Sequence, residues 1–168
     1  MTRSLGTQLR HLIELLDGAV AATYADAGLA YRPRYTPVMR ALLAHAPAPA
    51  TIGHLAASAG ITQPAATQTI ALMVKDGLVT VQTGAADGRQ KLIGLSAHGR
   101  ALLPQLEQLW AATAAAAASV EAELDHPLSA TIEQAIAALA AKPFGERIRA
   151  ARAATIVRKK RPAATPST

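Results

Sequence analysis

Between Thr51 and Ser96 the hydrophobic spacing changes from helical to alternating, and residues that stop a helix or a strand fall at each joint. Thr51 is a good N-cap, because its hydroxyl can accept from an orphan N–H of the first helical turn. Ile52, Leu55, Ala56 and Ala59 then recur at helical intervals, and Gly60 stands where a helix commonly ends in a left-handed residue. Only Ile61 and Thr62 precede the next helix, which starts at Thr62 or Gln63 with Pro64 in its first turn, where a missing N–H costs nothing. Asp76-Gly77 closes that helix. Leu78 to Thr83 is apolar and β-branched with alternation, residues 84–88 form a Gly-bounded turn, and Gln90 to Leu95 returns as a second strand.

Two short helices joined by a tight Gly-containing turn pack steeply against each other, and a hairpin directly after them makes the order that of a winged helix-turn-helix. At 100° per residue, Ala66, Ile70 and Met73 share one side of the second helix. Pro64, Thr67, Gln68, Ala71 and Lys75 fall on the other. The outward edge near its start is short, polar and uncharged. A surface helix ordinarily carries charge there. Gln and Thr at that place suit a major groove, where Gln pairs bidentately with adenine and Thr bonds either way. An ordinary surface helix in an alanine-rich chain is the alternative reading. At the hairpin tip, Arg89 follows Asp87 by two residues. An Arg there can enter a minor groove, with the carboxylate orienting it; the alternative is a solvated surface pair.

Taken together, two segments resemble the MarR (multiple antibiotic resistance regulator) family of bacterial transcription regulators. ITQPAATQTIALMVKDGLV is similar to the family's recognition helix and the start of its wing. DGRQKLIGLS matches the wing pattern D-x-R-x-x-x-L-x-L-T, with Ile93 for the first Leu and Ser96 for the Thr. The resemblance implies a mainly α fold with a small β-hairpin wing, flanked by N- and C-terminal dimerisation helices. It places Thr62, Gln63, Pro64, Thr67 and Gln68 against the major groove and Asp87 and Arg89 at the minor groove. Gln68 stands where relatives often carry Arg, so that residue's phosphate or guanine contact is missing from the expected interface.

The 168 residues suffice for one domain with a real core, and no apolar run reaches the roughly 20 residues of a membrane span. Glu14 and Asp17 interrupt the apolar part of the N-terminus, which argues against a secretory signal and makes the cytoplasm the expected compartment. The absence of cysteine excludes disulfide scaffolds, thiolate metal sites and thiol-based redox sensing. The net charge of +6 is uneven: residues 1–144 are balanced, and the whole excess lies in 145–168, from Arg147, Arg149, Arg152, Arg158, Lys159, Lys160 and Arg161 against Glu146. That basic end either adds phosphate contacts, whose affinity falls with salt, or forms a solvated tail.

Four regions are expected in order. Residues 1–45 hold an amphipathic helix over 4–28 (Leu5, Leu9, Leu12, Ile13, Leu16, Val20), a linker broken by Pro33 and Pro37, and a helix capped by Thr36. Residues 46–96 are a Pro-rich connector and the winged lobe. Residues 97–157 begin with a long helix capped by Ser96 that carries Leu102, Leu103, Leu106, Leu109 and Trp110 and continues through a nearly pure Ala run. A helix over Leu128–Ala141 follows, then a break at Pro143-Phe144-Gly145 and a basic helix from Glu146 to about Val157. Residues 158–168 read as a basic, disordered tail. The terminal helices carry more apolar surface than one small domain hides, and the resemblance implies that a second copy covers it.

Enzymatic chemistry finds no support. There is no nucleophile–base set and no phosphate or dinucleotide loop, and His11, His45, His54, His98 and His126 are dispersed, so no metal or other cofactor is expected. Relatives of the family often bind small aromatic compounds between the dimer helices and the winged lobe. Tyr24, Tyr31, Tyr35 and Trp110 are the candidates for such a pocket, with plain core packing as the alternative. The expected function is a homodimeric, ligand-responsive repressor reading a near-palindrome in double-stranded DNA, with half-sites about 34 Å apart. A non-specific DNA binder working through its basic C-terminus and a winged protein-interaction module are the alternatives.

Overall fold

The computed structural model describes residues 4–83 and 91–160. Within it the chain forms two compact units, residues 1–114 and 115–168.

The first unit begins with helix α1 (Leu5–Asp26), whose N-cap Ser4 accepts from the Thr7 N–H. It stops where Gly28 adopts φ +71°, a left-handed conformation that costs glycine nothing, and Gln105 donates to the freed carbonyl of Ala27 at 3.0 Å. The segment between Pro33 and Pro37 is not an irregular linker throughout. Pro33–Tyr35 is a 3-10 turn that runs directly into α2 (Thr36–His45). Thr36 is therefore the first residue of α2 and not its cap; no side chain caps that helix, and the Thr36 hydroxyl instead lies 3.3 Å from the Tyr24 hydroxyl.

The connector ends in a short strand the sequence does not announce, β1 (Ala50–Thr51). Thr51 is also the expected cap, accepting from the His54 N–H as α3 (Ile52–Ser58) begins. Gly60, at φ +65°, makes the turn to α4 (Gln63–Lys75). Strands β2 (Val79–Thr83) and β3 (Lys91–Leu95) follow. The sheet is antiparallel in the order β1-β3-β2, with Val81 opposite Ile93 on one side and Ala50 opposite Ile93 on the other. Ile93, in the central strand, is fully buried. Helix α5 (Ala97–Ala122) starts on Ser96, whose hydroxyl accepts from the Gly99 N–H at 2.8 Å and donates to the Gly77 carbonyl at 2.6 Å.

The core of this unit joins Val38, Met39 and Leu42 of α2, Leu55 of α3, Ala66, Ile70 and Met73 of α4, Leu78, Ile93, and Leu106 and Trp110 of α5. In α3, α4 and α5 the apolar sides read from spacing are thus the buried or half-buried sides.

In the second unit, Glu121 near the end of α5 accepts from both the backbone N–H and the hydroxyl of Ser129, supplying the cap that Pro127 cannot give to α6 (Leu128–Ala141). Arg147 closes the other end of α6, donating to the carbonyls of Ala138 and Lys142, as cations near a helix C-terminus do. The last helix, α7 (Phe144–Lys160), corrects the expected break. It starts at Phe144 rather than Glu146, and it takes in residues 158–160 that the sequence assigns to a tail. Residues 161–168 lie outside the described residues. No residue of α6 is buried, and Ile132, Ile136 and Leu139 are exposed along it. In α1, Leu5, Leu9, Ile13, Leu15 and Leu16 are exposed as well.

Candidate nucleic-acid interface

The helix-turn-helix is held by its ends. Thr62 caps α4, accepting from the Ala65 N–H at 3.3 Å. Pro64 occupies the first turn and leaves no donor unmet there. The buried side, Ala66, Ile70 and Met73, is the expected one, and Thr69 joins it as the one buried polar residue among the described residues. Thr62, Gln63, Pro64, Thr67 and Gln68 are all exposed. They therefore form one solvent-facing edge over the first two turns.

The chemistry of that edge is specific. The Thr67 hydroxyl donates back to the Gln63 carbonyl at 2.9 Å. Its proton is committed, so Thr67 offers a methyl group and an acceptor. Among the described residues no hydrogen-bond partner holds the Gln63 or Gln68 side-chain amide, which leaves both donor and acceptor of each free for a base edge. The edge carries no charge until Lys75, in the last turn. Asp87 and Arg89 lie outside the described residues. The strands that lead to them are in register up to Thr83 opposite Lys91.

The sequence reading misses what holds the far flank of α4. Tyr35 donates its phenolic proton to Asp76 Oδ2 across 2.6 Å. Asp76 is the C-cap of α4, and the Arg32 guanidinium stands 3.6 Å from the same oxygen. Arg34 reaches Thr69, in the middle of α4, at 3.4 Å. Burial, and then the hydrogen bond to Asp76 and its negative charge, push the Tyr35 phenol up to about 12. Residues 31–37 look like a linker, and only their two arginines and two tyrosines hint at a further role.

The four aromatic candidates come together, and all are buried. Tyr24 meets Tyr31 edge-on at 5.0 Å between ring centres, and Tyr31 meets Tyr35 likewise at 5.6 Å. Trp110 donates from Nε1 to the Tyr24 hydroxyl at 3.2 Å, and the Arg40 guanidinium lies over the Trp110 ring. In this arrangement their side chains fill space against one another. His45 and His54, which the sequence leaves apart, have ring centres 4.5 Å apart. No group of three or more metal-ligating side chains gathers among the described residues.

Residues 31–90 match the sequence model described as the MarR family. No curated protein sequence matches the chain. Among solved structures, the fold is similar to that of the M. tuberculosis transcriptional regulator MosR in complex with DNA, at 26% identity and a TM-score of 0.63, covering 83% of this chain and 97% of that one. It is similar to Bordetella bronchiseptica BpsR at 19% identity and a TM-score of 0.56, over 82% and 94% of the two chains. It is similar also to a mutant MarR from E. coli at 18% identity and a TM-score of 0.52, over 83% and 98%. The cap, the turn, the polar edge of α4 and strands β1 and β2 all lie within the matched residues, so the winged helix-turn-helix of this chain is similar to that of the MarR family in sequence as well as in fold.

Proposed function

We propose that the protein is a homodimeric transcription regulator that binds double-stranded DNA sequence-specifically, acting as a repressor under control of a small ligand. The observation that carries this reading is the edge of α4, with Gln63, Pro64, Thr67 and Gln68 exposed on a helix whose opposite side is locked in the core. A helix so anchored presents its backbone already ordered, so only the side chains of the edge lose freedom on binding, which lowers the cost of association. MosR, the neighbour at 26% identity, was solved in complex with DNA, and BpsR is described through regulation of its DNA binding by 6-hydroxynicotinic acid. Those properties support DNA as the partner and an aromatic acid as the class of effector. The helices at both ends of the chain serve as the dimerisation region.

No helix of the described residues is long and apolar enough to cross a membrane. Asp87 and Arg89 belong to the interface as the minor-groove contact of the wing. Selection of bound duplexes from a random pool tests the reading. Recovery of a near-palindrome, with Gln68→Ala weakening that duplex by about 1–3 kcal/mol and leaving unrelated duplexes unchanged, is the expected outcome. Unselective binding that vanishes on removal of residues 158–168 would assign DNA contact to the basic end instead.

A further inference from the structure

The turn that precedes α2 holds α4 at two points. Arg34 reaches Thr69 in mid-helix, and Tyr35 donates to Asp76 at the helix end. Those anchor points are seven positions apart, about 10 Å of helix at the usual rise. The turn itself is stiff: Pro33 opens it, Pro37 follows it, and Tyr35 is fully buried. Two polar bonds from one rigid segment, spaced along one flank, oppose both rotation of α4 about its axis and sliding along it. Hydrophobic burial itself has no direction, so the two polar bonds add an orientational restraint to the one that steric packing of Ala66, Ile70 and Met73 supplies. Neither bonded residue of α4 lies on the exposed edge formed by Gln63, Pro64, Thr67 and Gln68.

We infer that Tyr35 and Asp76, with Arg34 and Thr69, form a clamp that fixes the rotation of α4, making Tyr35 a positioning residue for base discrimination although it does not face the bases. The inference rests on the proposed reading of α4 as the DNA-reading helix. Its physical logic is that a bidentate amide–base contact tolerates only a fraction of an ångström of misplacement, whereas attraction to phosphates is long-ranged and forgiving. A loosened α4 would lose selectivity and keep its general affinity.

The test uses the full chain in two measurements. In the first, Tyr35→Phe keeps the ring and removes the hydroxyl, Asp76→Ala removes the acceptor, and Asp76→Asn keeps an oxygen that can still accept. Each is titrated with the duplex recovered from a random pool and with a scrambled duplex, over a range of salt. Tyr35→Phe and Asp76→Ala are expected to lower the ratio of selected to scrambled affinity about tenfold, the equivalent of one weakened base contact. The salt slope stays unchanged, Asp76→Asn retains most of the ratio, and the double variant is no worse than either single one. Equal loss on both duplexes, or no change on either, overturns the clamp.

The second measurement needs no DNA. Amide hydrogen exchange in Tyr35→Phe is expected to quicken over Thr69–Lys75 of α4 and not over α3. Unchanged or uniformly changed exchange overturns the clamp. If the parent chain binds no duplex while Tyr35→Phe shows this localised quickening, the DNA reading falls and the clamp stands.

Discussion

Gly99 lies so close to Leu78 that a Cβ on it would come within 2.1 Å of the Leu78 carbonyl oxygen. That oxygen already accepts from the Ser96 N–H at 3.1 Å, so it cannot swing away freely. The first turn of α5 is thereby pressed onto the chain just after α4. The Ser96 hydroxyl stitches the same junction, donating to Gly77 and accepting from Gly99. The relation fixes the base of the wing, since β2 leaves this junction and β3 returns to it.

Gly99→Ala is accordingly expected to be strongly destabilising, by about 3 kcal/mol, the upper part of the range for forced overpacking. Backbone stands against backbone here, and no side chain can turn aside. Urea unfolding followed by circular dichroism checks it. Ser96→Ala loses the cap and the Gly77 bond and should cost about 1–2 kcal/mol. Ser96→Thr keeps the hydroxyl and should stay close to the parent. A Gly99→Ala protein as stable as the parent would show that α5 can lift off Leu78.

The same chemical change is expected to have opposite effects at two touching tyrosines. The Tyr24 hydroxyl accepts from Trp110 Nε1 and pairs with the Thr36 hydroxyl. Tyr24→Phe strands the buried indole N–H and should cost about 1–3 kcal/mol. Among the described residues the Tyr31 hydroxyl is buried with no partner at hydrogen-bond geometry, and burial, opposed by the nearby Thr36 hydroxyl, raises its pKa well above that of a free phenol. Tyr31→Phe removes that unmet group and should be neutral or slightly stabilising. Thermal unfolding of the two variants beside the parent decides it; equal losses would mean that the Tyr31 hydroxyl is satisfied in solution.

Much of the winged lobe is legible in the chain because its determinants are local. Thr51 and Thr62 cap from adjacent positions, Gly60 takes the left-handed turn, and the 100° spacing of Ala66, Ile70 and Met73 selects the buried side of α4. What escapes sequence reading is non-local. Strand β1 is only Ala50–Thr51 and exists because β3 pairs with it. Thr36 has the residue type and the place of a cap, yet the preceding 3-10 turn takes over the start of α2, and its hydroxyl turns to Tyr24. The Tyr35–Asp76 bond joins residues 41 apart, and nothing in the spacing of either reveals it. At Phe144, Pro143 reads as a break but starts a helix, because its fixed φ suits the residues leading into a first turn.

Alkaline titration gives a signed expectation for Tyr35. Its folded pKa, about 12, lies above the value of 10.0 for an exposed phenol. The folded state therefore holds the proton more tightly than the unfolded state. The associated stability is fully present below pH 10 and is lost as pH rises from there toward 12. The midpoint of urea unfolding should fall across that window. Tyr35→Phe should make the fall shallower, because the residue no longer titrates in either state. Identical slopes in parent and variant would mean that Tyr35 ionises as easily folded as unfolded.

The exposed apolar residues bear on assembly. Ile13 of α1 is 56% exposed and Ile136 of α6 is 62% exposed. Each sits in a row of exposed aliphatic side chains on its own helix: Leu9 and Leu16 beside the first, Ile132 and Leu139 beside the second. Two such rows in one chain are more than scattered surface apolar residues and mark association surfaces. A second copy related by a two-fold axis would cover them and would present two α4 edges to successive turns of one DNA face. Ile13→Asp with Ile136→Asp places charge in both rows without touching the core of either unit. Sedimentation velocity should then shift from dimer to monomer, while the circular dichroism spectrum of the winged lobe persists. Affinity for the selected palindrome should fall at least about a hundredfold, since the second half-site no longer binds as an intramolecular event. Affinity for a single half-site should change little. A variant that stays dimeric would move the interface away from these two rows, and a parent that sediments as a monomer would remove the two-fold reading of the operator.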